Sequence, residues 1–123
     1  MKRVRAGLGL LLVATLSAAC SAATAAPSAD PADADIALVA DDRLTYSETD
    51  LTAAPGAITI ALTCDGRAAH DVVVETPDGP VQVALCGAGG TSAGTVELAA
   101  GDYSFFCSVP GHRRSMEGTL TVG

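Results

Sequence analysis

The sequence predicts an all-β domain, a two-sheet β-sandwich of about eight strands, on three observations. Short runs rich in β-branched and aromatic residues recur after position 35, and clusters of Gly, Pro and Asp separate them. No stretch there has the apolar spacing of an amphipathic helix. Strands at this spacing are typical of a sandwich. The globular part, 36–123, is short, so we expect a small core with an added covalent or metal staple.

Residues that favour turns separate the predicted strands. The strands are expected, in chain order, over residues 36–39, 46–52, 57–63, 70–76, 81–86, 95–98, 103–107 and 118–122. The third shows a clear period of two, which places Ile58, Ile60 and Leu62 on one face. Pro-Asp-Gly-Pro at 77–80 separates the fourth and fifth strands, and residues 87–94 are a predicted Gly-rich loop.

The first 19 residues have the features of a secretory signal peptide. Lys2, Arg3 and Arg5 precede an uncharged, Leu-rich run over 6–19. This run has 14 residues and is shorter than the roughly 20 that a membrane-spanning helix needs. The basic stretch lacks an Arg-Arg pair, which favours the general secretory route over the twin-Arg route. The sequence thus predicts an exported protein.

Two processing sites are compatible with this signal. Residues 16–20, Leu-Ser-Ala-Ala-Cys, resemble a bacterial lipoprotein site at which Cys20 becomes the lipidated first residue, although Ser17 stands where an aliphatic residue is usual. The alternative is ordinary cleavage after the Ala-Thr-Ala of residues 23–25. We favour lipidation, because residues 20–35 lack bulky apolar side chains and are expected to act as a tether. The protein is then expected in the periplasm or at the extracytoplasmic face of the cell membrane.

The charge of the exported part excludes one class of function. The chain has 14 Asp and Glu, all beyond residue 29, whereas only four Arg follow the signal. An acidic surface does not displace counterions from phosphates, and a chain without Trp has few aromatic platforms for stacking bases. The sequence therefore predicts no nucleic-acid binding.

Four side chains form a candidate metal site. Cys107, His112 and Met116 lie in one loop between two predicted strands, and His70 opens an earlier strand. A thiolate, two imidazoles and a weak thioether are the ligands of electron-transfer copper sites. Thiolate and thioether suit Cu(I), whereas imidazole suits Cu(II), so this set serves both oxidation states. The sequence therefore predicts one copper ion as cofactor.

The same residues resemble a known family. Segments 103–112, Tyr-Ser-Phe-Phe-Cys-Ser-Val-Pro-Gly-His, and 116–122, Met-Glu-Gly-Thr-Leu-Thr-Val, resemble the cupredoxins, small blue copper proteins such as plastocyanin, azurin and auracyanin. His70 followed by a polar residue and an apolar strand is also similar to the family pattern. The resemblance covers about residues 36–123 and implies a Greek-key sandwich with one type 1 copper ion held by the four side chains named above.

The resemblance also implies a function. A cupredoxin of this kind is expected to be a monomeric one-electron carrier between a protein donor and a protein acceptor, with membrane contact only through the lipid anchor. The alternative is a copper storage or delivery protein, which needs exchangeable ligands rather than a complete set of four. An enzyme is not expected, because the related oxidases and nitrite reductases need further His ligands, and the chain has only two His.

One residue departs from the family pattern. Asp71 directly follows His70, where the family usually has Asn. Asp71 is expected to accept a hydrogen bond from the Ser108 hydroxyl or from a loop N–H and so to link the two ligand loops. Its carboxylate either adds negative charge that favours Cu(II) and lowers the reduction potential, or it replaces Asn with its charge solvated.

Two cysteines lie outside the candidate metal site. Cys64 and Cys86 flank His70 in the sequence. In an oxidising compartment we expect them to form a disulfide, with two free buried thiols as the alternative. The pairing would also remove thiols that compete for copper.

The loop around His112 is the expected docking face for redox partners. In the family this His is the ligand nearest to solvent, and Val109 and Pro110 are expected to form part of an apolar rim beside it. Arg113 and Arg114 follow directly and carry half of the exported part's positive charge. They are expected to attract an acidic face of the partner, which affects the association rate more than the affinity. The alternative is that both Arg pair with acidic residues nearby.

Overall fold

Two β-sheets packed face to face make up most of the chain that the computed structural model describes, residues 25–123. The predicted signal peptide and Cys20 lie outside the described residues. The elements are a 3-10 helix (Pro31–Asp33) and strands β1 (Ile36–Asp41), β2 (Asp50–Ala53), β3 (Gly56–Asp65), β4 (His70–Thr76), β5 (Gly79–Cys86), β6 (Thr91–Leu98), β7 (Gly101–Phe106) and β8 (Glu117–Val122). The predicted all-β sandwich of about eight strands is confirmed. In residues 25–123 no helix is long and apolar enough to cross a membrane.

The sheets contain three and five strands. The smaller sheet has the order β1-β3-β6, and the larger has the order β2-β8-β7-β4-β5. The pairs β1–β3 and β2–β8 are parallel, whereas the other neighbours are antiparallel. Because β4 and β7 are antiparallel neighbours, the start of β4 and the end of β7 lie at the same end of the sandwich.

Alternating apolar side chains from both sheets fill the space between them. Ile58, Ile60 and Leu62 of β3 are fully buried, as their period of two predicts. They pack in one cluster with Phe105 and Leu120 of the larger sheet. A side chain at Gly118 would meet the Phe105 ring at 2.6 Å, so only glycine leaves room for this ring. Burial of such side chains is the main favourable contribution to stability.

Two predicted strands begin four residues away from their expected start, whereas the bounds of the others agree to within two residues. The strand expected over 95–98 begins at Thr91, because β6 pairs with β3 along its whole length, and the predicted Gly-rich loop shortens accordingly. Gly94 lies within this strand, and the position requires glycine because a Cβ there would lie 1.9 Å from the Val83 carbonyl oxygen. The strand expected over 46–52 begins only at Asp50, because the chain crosses there from the smaller sheet to the larger one.

The described part of the predicted tether is attached to the domain. Residues 26–29 lie between the edge strands of the two sheets: the Ala26 N–H donates to Gln82 of β5, and the Ala29 N–H donates to Ala93 of β6. The Thr95 N–H also donates to the Pro27 carbonyl. These bonds use the backbone alone, so a segment without bulky side chains can still close an open sheet edge.

Candidate metal centre

Three of the predicted ligands meet at one end of the sandwich. The nearest ligand atoms of His70, Cys107 and His112 all lie within 4.8 Å of one another. The Cys107 sulfur is 3.6 Å from Nδ1 of His112, and the centres of the two imidazole rings are 5.1 Å apart. His70 comes from the start of β4, and the other two come from the loop between β7 and β8. Cys107 and His112 follow His70 by 37 and 42 positions in the sequence. The fold therefore brings one thiol and two imidazoles from distant parts of the chain together.

Burial of these side chains fits a bound metal ion. His70 is 1% exposed, and neither of its ring nitrogens has a hydrogen-bond partner within residues 25–123. A buried nitrogen without a partner is costly unless another ligand, such as a metal, satisfies it. Burial lowers the pKa of His70, and the neighbouring His112 lowers it further. Both effects favour the neutral imidazole, which is the form that binds metal.

The thiol of Cys107 is also buried. Burial raises its pKa, while the backbone N–H groups of Asp71 and Val109 act in the opposite direction. In the metal-free protein the thiol form is thus favoured, and a bound cation would favour the thiolate. The pair of imidazoles and one soft sulfur match the donors that copper prefers.

Met116 closes the ligand loop and is fully buried. Its carbonyl accepts a hydrogen bond of 3.0 Å from the Cys107 N–H, and its own N–H donates to the His112 carbonyl at 3.1 Å. The backbone of this residue is thus bonded to two of the three clustered ligands. Its role as a fourth, axial ligand remains a prediction from the sequence.

Asp71 links the two ligand-bearing segments. Its carboxylate accepts hydrogen bonds from both the backbone N–H and the hydroxyl of Ser108, the first at 2.6 Å. The Gln82 side chain donates to the same carboxylate at 2.9 Å, and the Tyr46 hydroxyl donates to the Asp71 carbonyl. Asp71 is 1% exposed, so its carboxyl group does not face solvent as the alternative sequence interpretation expected. The sequence analysis did not identify Gln82 or Tyr46 as part of the site. For Gln82, the available signal was a single amide side chain in an otherwise apolar strand.

A disulfide joins Cys64 of β3 to Cys86 of β5. Cys86 is the residue directly opposite His70 in the β4–β5 ladder. The bridge therefore connects the two sheets beside a candidate ligand. The structure contains the predicted disulfide, and Cys107 is the only free cysteine among residues 25–123.

The turn before His70 is held by a carboxylate. Asp42 accepts hydrogen bonds from the N–H groups of Arg67 and Ala68, at 2.8 and 2.9 Å. These bonds lower the pKa of Asp42. Gly66 passes so close to this carboxylate, with φ of +139°, that a Cβ there would lie 2.5 Å from it. The β1–β2 turn thus positions the approach to β4.

The residues predicted to dock partners divide into two groups. His112 is partly exposed, Val109 is half-buried against the core and Pro110 is exposed, and their role as an apolar rim for docking stays a prediction. Arg114 is exposed and, among the described residues, takes part in no salt bridge. Arg113 differs because acidic side chains already pair with it, which was the alternative left open by the sequence.

Arg113 is held by three side chains. Its guanidinium donates to Glu117 at 2.6 Å and to Glu75 at 3.1 Å, and it lies 3.8 Å above the centre of the Phe106 ring. The two carboxylates raise its pKa. Arg113 therefore makes the acidic pairs that the alternative interpretation expected, and its role in attracting a partner stays a prediction.

Comparison with known proteins places the chain in a family. Residues 34–123 match the family described as copper binding proteins, plastocyanin/azurin family. A search of curated protein sequences found no match. Among solved structures, similar folds include two auracyanins and one azurin at low sequence identity, for which only the fold is compared.

The first is the dithionite-reduced auracyanin of Roseiflexus castenholzii, with a TM-score of 0.62, 22% identity, and coverage of 72% of this chain and 95% of the auracyanin. Auracyanin A of Chloroflexus aurantiacus, a blue copper protein, has a TM-score of 0.60 and 23% identity over 71% of this chain and 96% of its own. The azurin Az-iso2 of Methylomonas sp. strain J has a TM-score of 0.60 and 20% identity over 71% and 95%. The fold, the clustered donors and the match over residues 34–123 agree: this chain belongs to the plastocyanin/azurin family of copper-binding proteins.

Proposed function

We propose that this protein is a blue copper electron carrier that works outside the cytoplasm. The observation that carries the proposal is the cluster of His70, Cys107 and His112, in which both ring nitrogens of the buried His70 lack a partner in the described part of the chain. A copper ion bound there would supply one-electron chemistry by alternating between Cu(II) and Cu(I). We infer that Met116 completes the ligand set, because it is buried and its backbone is bonded to Cys107 and His112.

The side chains that would hold or surround the ion have separate tasks. His70 and Cys107 are buried and exclude water, whereas His112 is partly exposed and offers the edge at which an electron enters or leaves. Asp71 fixes Ser108, the residue after Cys107, through two hydrogen bonds. A site that is already arranged before the metal binds changes little between oxidation states, as rapid electron transfer requires.

Several finer statements belong to the same proposal. Residues 1–19 form a signal peptide, Cys20 is lipidated, and the domain that follows is a monomer at the extracytoplasmic face of the membrane. Its partners are a protein donor and a protein acceptor, and it catalyses no reaction on a substrate. Support comes from the basic and Leu-rich start of the chain and from the Leu-Ser-Ala-Ala-Cys sequence that ends at Cys20.

Loading the protein with Cu(II) tests the electron-carrier proposal. We expect an intense thiolate-to-copper absorption band and narrow copper hyperfine splitting in the electron paramagnetic resonance spectrum, both lost in Cys107→Ser while the fold is retained. The band should disappear on reduction and return on oxidation. A Cys107→Ser variant that keeps the band would show that Cys107 is not the ligand.

The same preparation distinguishes a carrier from a copper storage or delivery protein. A carrier should keep its copper through repeated reduction and oxidation in the presence of a Cu(I) chelator, because the buried ligands hold the ion in both states. Rapid loss of copper to the chelator after reduction would favour delivery.

In a separate experiment, a radiolabelled fatty acid should mark the full-length protein in bacteria but not its Cys20→Ala variant. An unlabelled product that begins near Ala26 would instead identify ordinary cleavage.

A further inference from the structure

We propose that Gln82 is a positioning residue of the copper centre: its side-chain amide holds Asp71, and Asp71 holds the start of the ligand loop at Ser108. The inference rests on the proposed function, since it assigns Gln82 a role in setting the reduction potential of the bound ion. Gln82 lies on β5, outside both segments that carry the ligands. Its importance could not be recognised from the ligand motif.

The first observation is the set of donors around Asp71. Asp71 is 1% exposed, and among the described residues its carboxylate accepts hydrogen bonds from three donors. Two donors belong to Ser108, which directly follows Cys107, and the third is Nε2 of Gln82 at 2.9 Å. Water has little access to this buried residue, and of the partners that residues 25–123 supply to its carboxylate, Gln82 alone is independent of the ligand loop. Loss of a partner from a buried, charged group is costly.

The second observation is an irregularity in the β4–β5 ladder. The register shifts between Val72, which pairs with Ala84, and Val73, which pairs with Gln82. Residues paired across a ladder share a face, and residues two apart on one strand share a face as well. The shift therefore puts Gln82 on the same face as Asp71, whereas an unshifted ladder would pair Gln82 with Val74, on the core face. The bulge is what brings the amide to the carboxylate.

The third observation is that the backbone of Gln82 is held on the other side. Its carbonyl accepts the Ala26 N–H at 3.0 Å from the segment that closes the gap between the sheets. The bulged strand is thus fixed at the residue whose side chain reaches Asp71. Gln82 connects the N-terminal segment to the ligand loop through two hydrogen bonds and one buried carboxylate.

The consequence for the centre is electrostatic as well as geometric. The amide places the positive end of its dipole against the carboxylate of the residue after His70, which would reduce the negative potential at a metal ion bound there. Removal of the amide leaves this charge less compensated, and negative charge stabilises Cu(II) relative to Cu(I). The reduction potential should therefore fall when Gln82 loses its donor.

Gln82→Met, which preserves the volume but removes the donor, tests the proposal in the copper-loaded protein. We expect a lower reduction potential and altered copper hyperfine splitting. Thr59→Val is the matched control, because it also removes one half-buried side-chain hydrogen bond, the 2.8 Å contact with Thr95, but in the other sheet. The control should leave the potential and the spectrum unchanged.

Two further measurements separate positioning from general stability. In an Asp71→Asn background, Gln82→Met should shift the potential much less, because the amide no longer faces a charge. In the metal-free protein, the Ser108 amide should exchange with solvent about tenfold faster in Gln82→Met than in the native protein, and no faster in Thr59→Val.

The outcomes are distinct. A potential, spectrum and Ser108 exchange rate that respond to Gln82→Met only as they do to Thr59→Val would overturn the proposal. A native protein that forms no blue centre would contradict the proposed function instead, and the exchange rate of Ser108 would still decide whether Gln82 positions the loop.

Discussion

Cys86 lies directly opposite His70 in the β4–β5 ladder, and its disulfide partner Cys64 belongs to the other sheet. The covalent link thus joins the two sheets at the level of a candidate copper ligand. In a domain with a small core, such a link limits how far the sheets can separate near the site. It also keeps both sulfurs from competing with Cys107 for a metal.

Replacing both Cys64 and Cys86 by Ala should destabilise the metal-free domain. The bridge spans 22 positions, for which the chain-entropy model gives on the order of 3 kcal/mol. Urea unfolding of the native and double-variant proteins measures the difference. Native protein under reducing conditions is the control and should lose a similar amount of stability. A double variant as stable as the oxidised native protein would contradict this role of the bridge.

The predictions that succeeded depend on local patterns. Cys107, His112 and Met116 fall within ten positions of one another, and the two flanking segments show clear strand patterns. The sequence could therefore place all three in one loop. The period of two also placed Ile58 and its neighbours in the core. Local spacing is sufficient for such features because no long-range packing is needed to define them.

The features that were missed depend on contacts between distant parts of the chain. The amide of Gln82 reaches Asp71 only because the β4–β5 register shifts by one residue, which no sequence pattern indicates. The sequence left open whether Arg113 serves docking or pairs with acidic residues, because its partner Glu75 lies 38 positions away and becomes a neighbour only in the folded sheet. The attachment of residues 26–29 to two sheet edges was missed because backbone hydrogen bonds leave no mark in side-chain composition.

Met116→Leu should raise the reduction potential of the copper-loaded protein. If Met116 is the axial ligand, its loss removes a donor that stabilises Cu(II), and the thiolate band should remain. A rise of about 59 mV corresponds to a tenfold change in relative affinity for the two oxidation states of a one-electron couple. Leu120→Met, the reverse exchange at another fully buried position, is the control and should leave the potential unchanged. Cyclic voltammetry measures both variants, and an unchanged or lower potential in Met116→Leu would count against axial ligation.

Asp42→Ala should loosen the turn that leads into His70. Without this carboxylate, the Arg67 and Ala68 amides lose their acceptor and should exchange with solvent several-fold faster in the metal-free protein. Asp42→Asn keeps an acceptor oxygen and should have a smaller effect. Asp102→Ala is the control, because Asp102 lies near the start of β7, whereas the ligand loop follows the end of this strand. Equal exchange in all four proteins would show that Asp42 does not hold the turn.

The same contact predicts a dependence on pH. The pKa of Asp42 is lowered in the folded protein from its ordinary value of 3.8, so the folded state prefers the ionised carboxylate. Its stabilising contribution is therefore complete above pH 3.8 and is lost as the pH falls through the lowered value. In Asp42→Asn, this part of the acid-induced loss should be absent, which thermal unfolding at a series of acidic pH values can measure.

Arg114→Gln should slow electron transfer to an anionic oxidant more than Arg113→Gln does. Both variants lose one positive charge, but two carboxylates already compensate Arg113, whereas Arg114 is exposed beyond His112 and has no salt bridge among the described residues. Stopped-flow oxidation of the reduced protein by hexacyanoferrate(III) should be roughly two- to fivefold slower in Arg114→Gln at low salt, and the difference should vanish at high ionic strength. Equal slowing in both variants would mean that only net charge matters. Rates that match the native protein at every salt concentration would place the docking face away from both arginines.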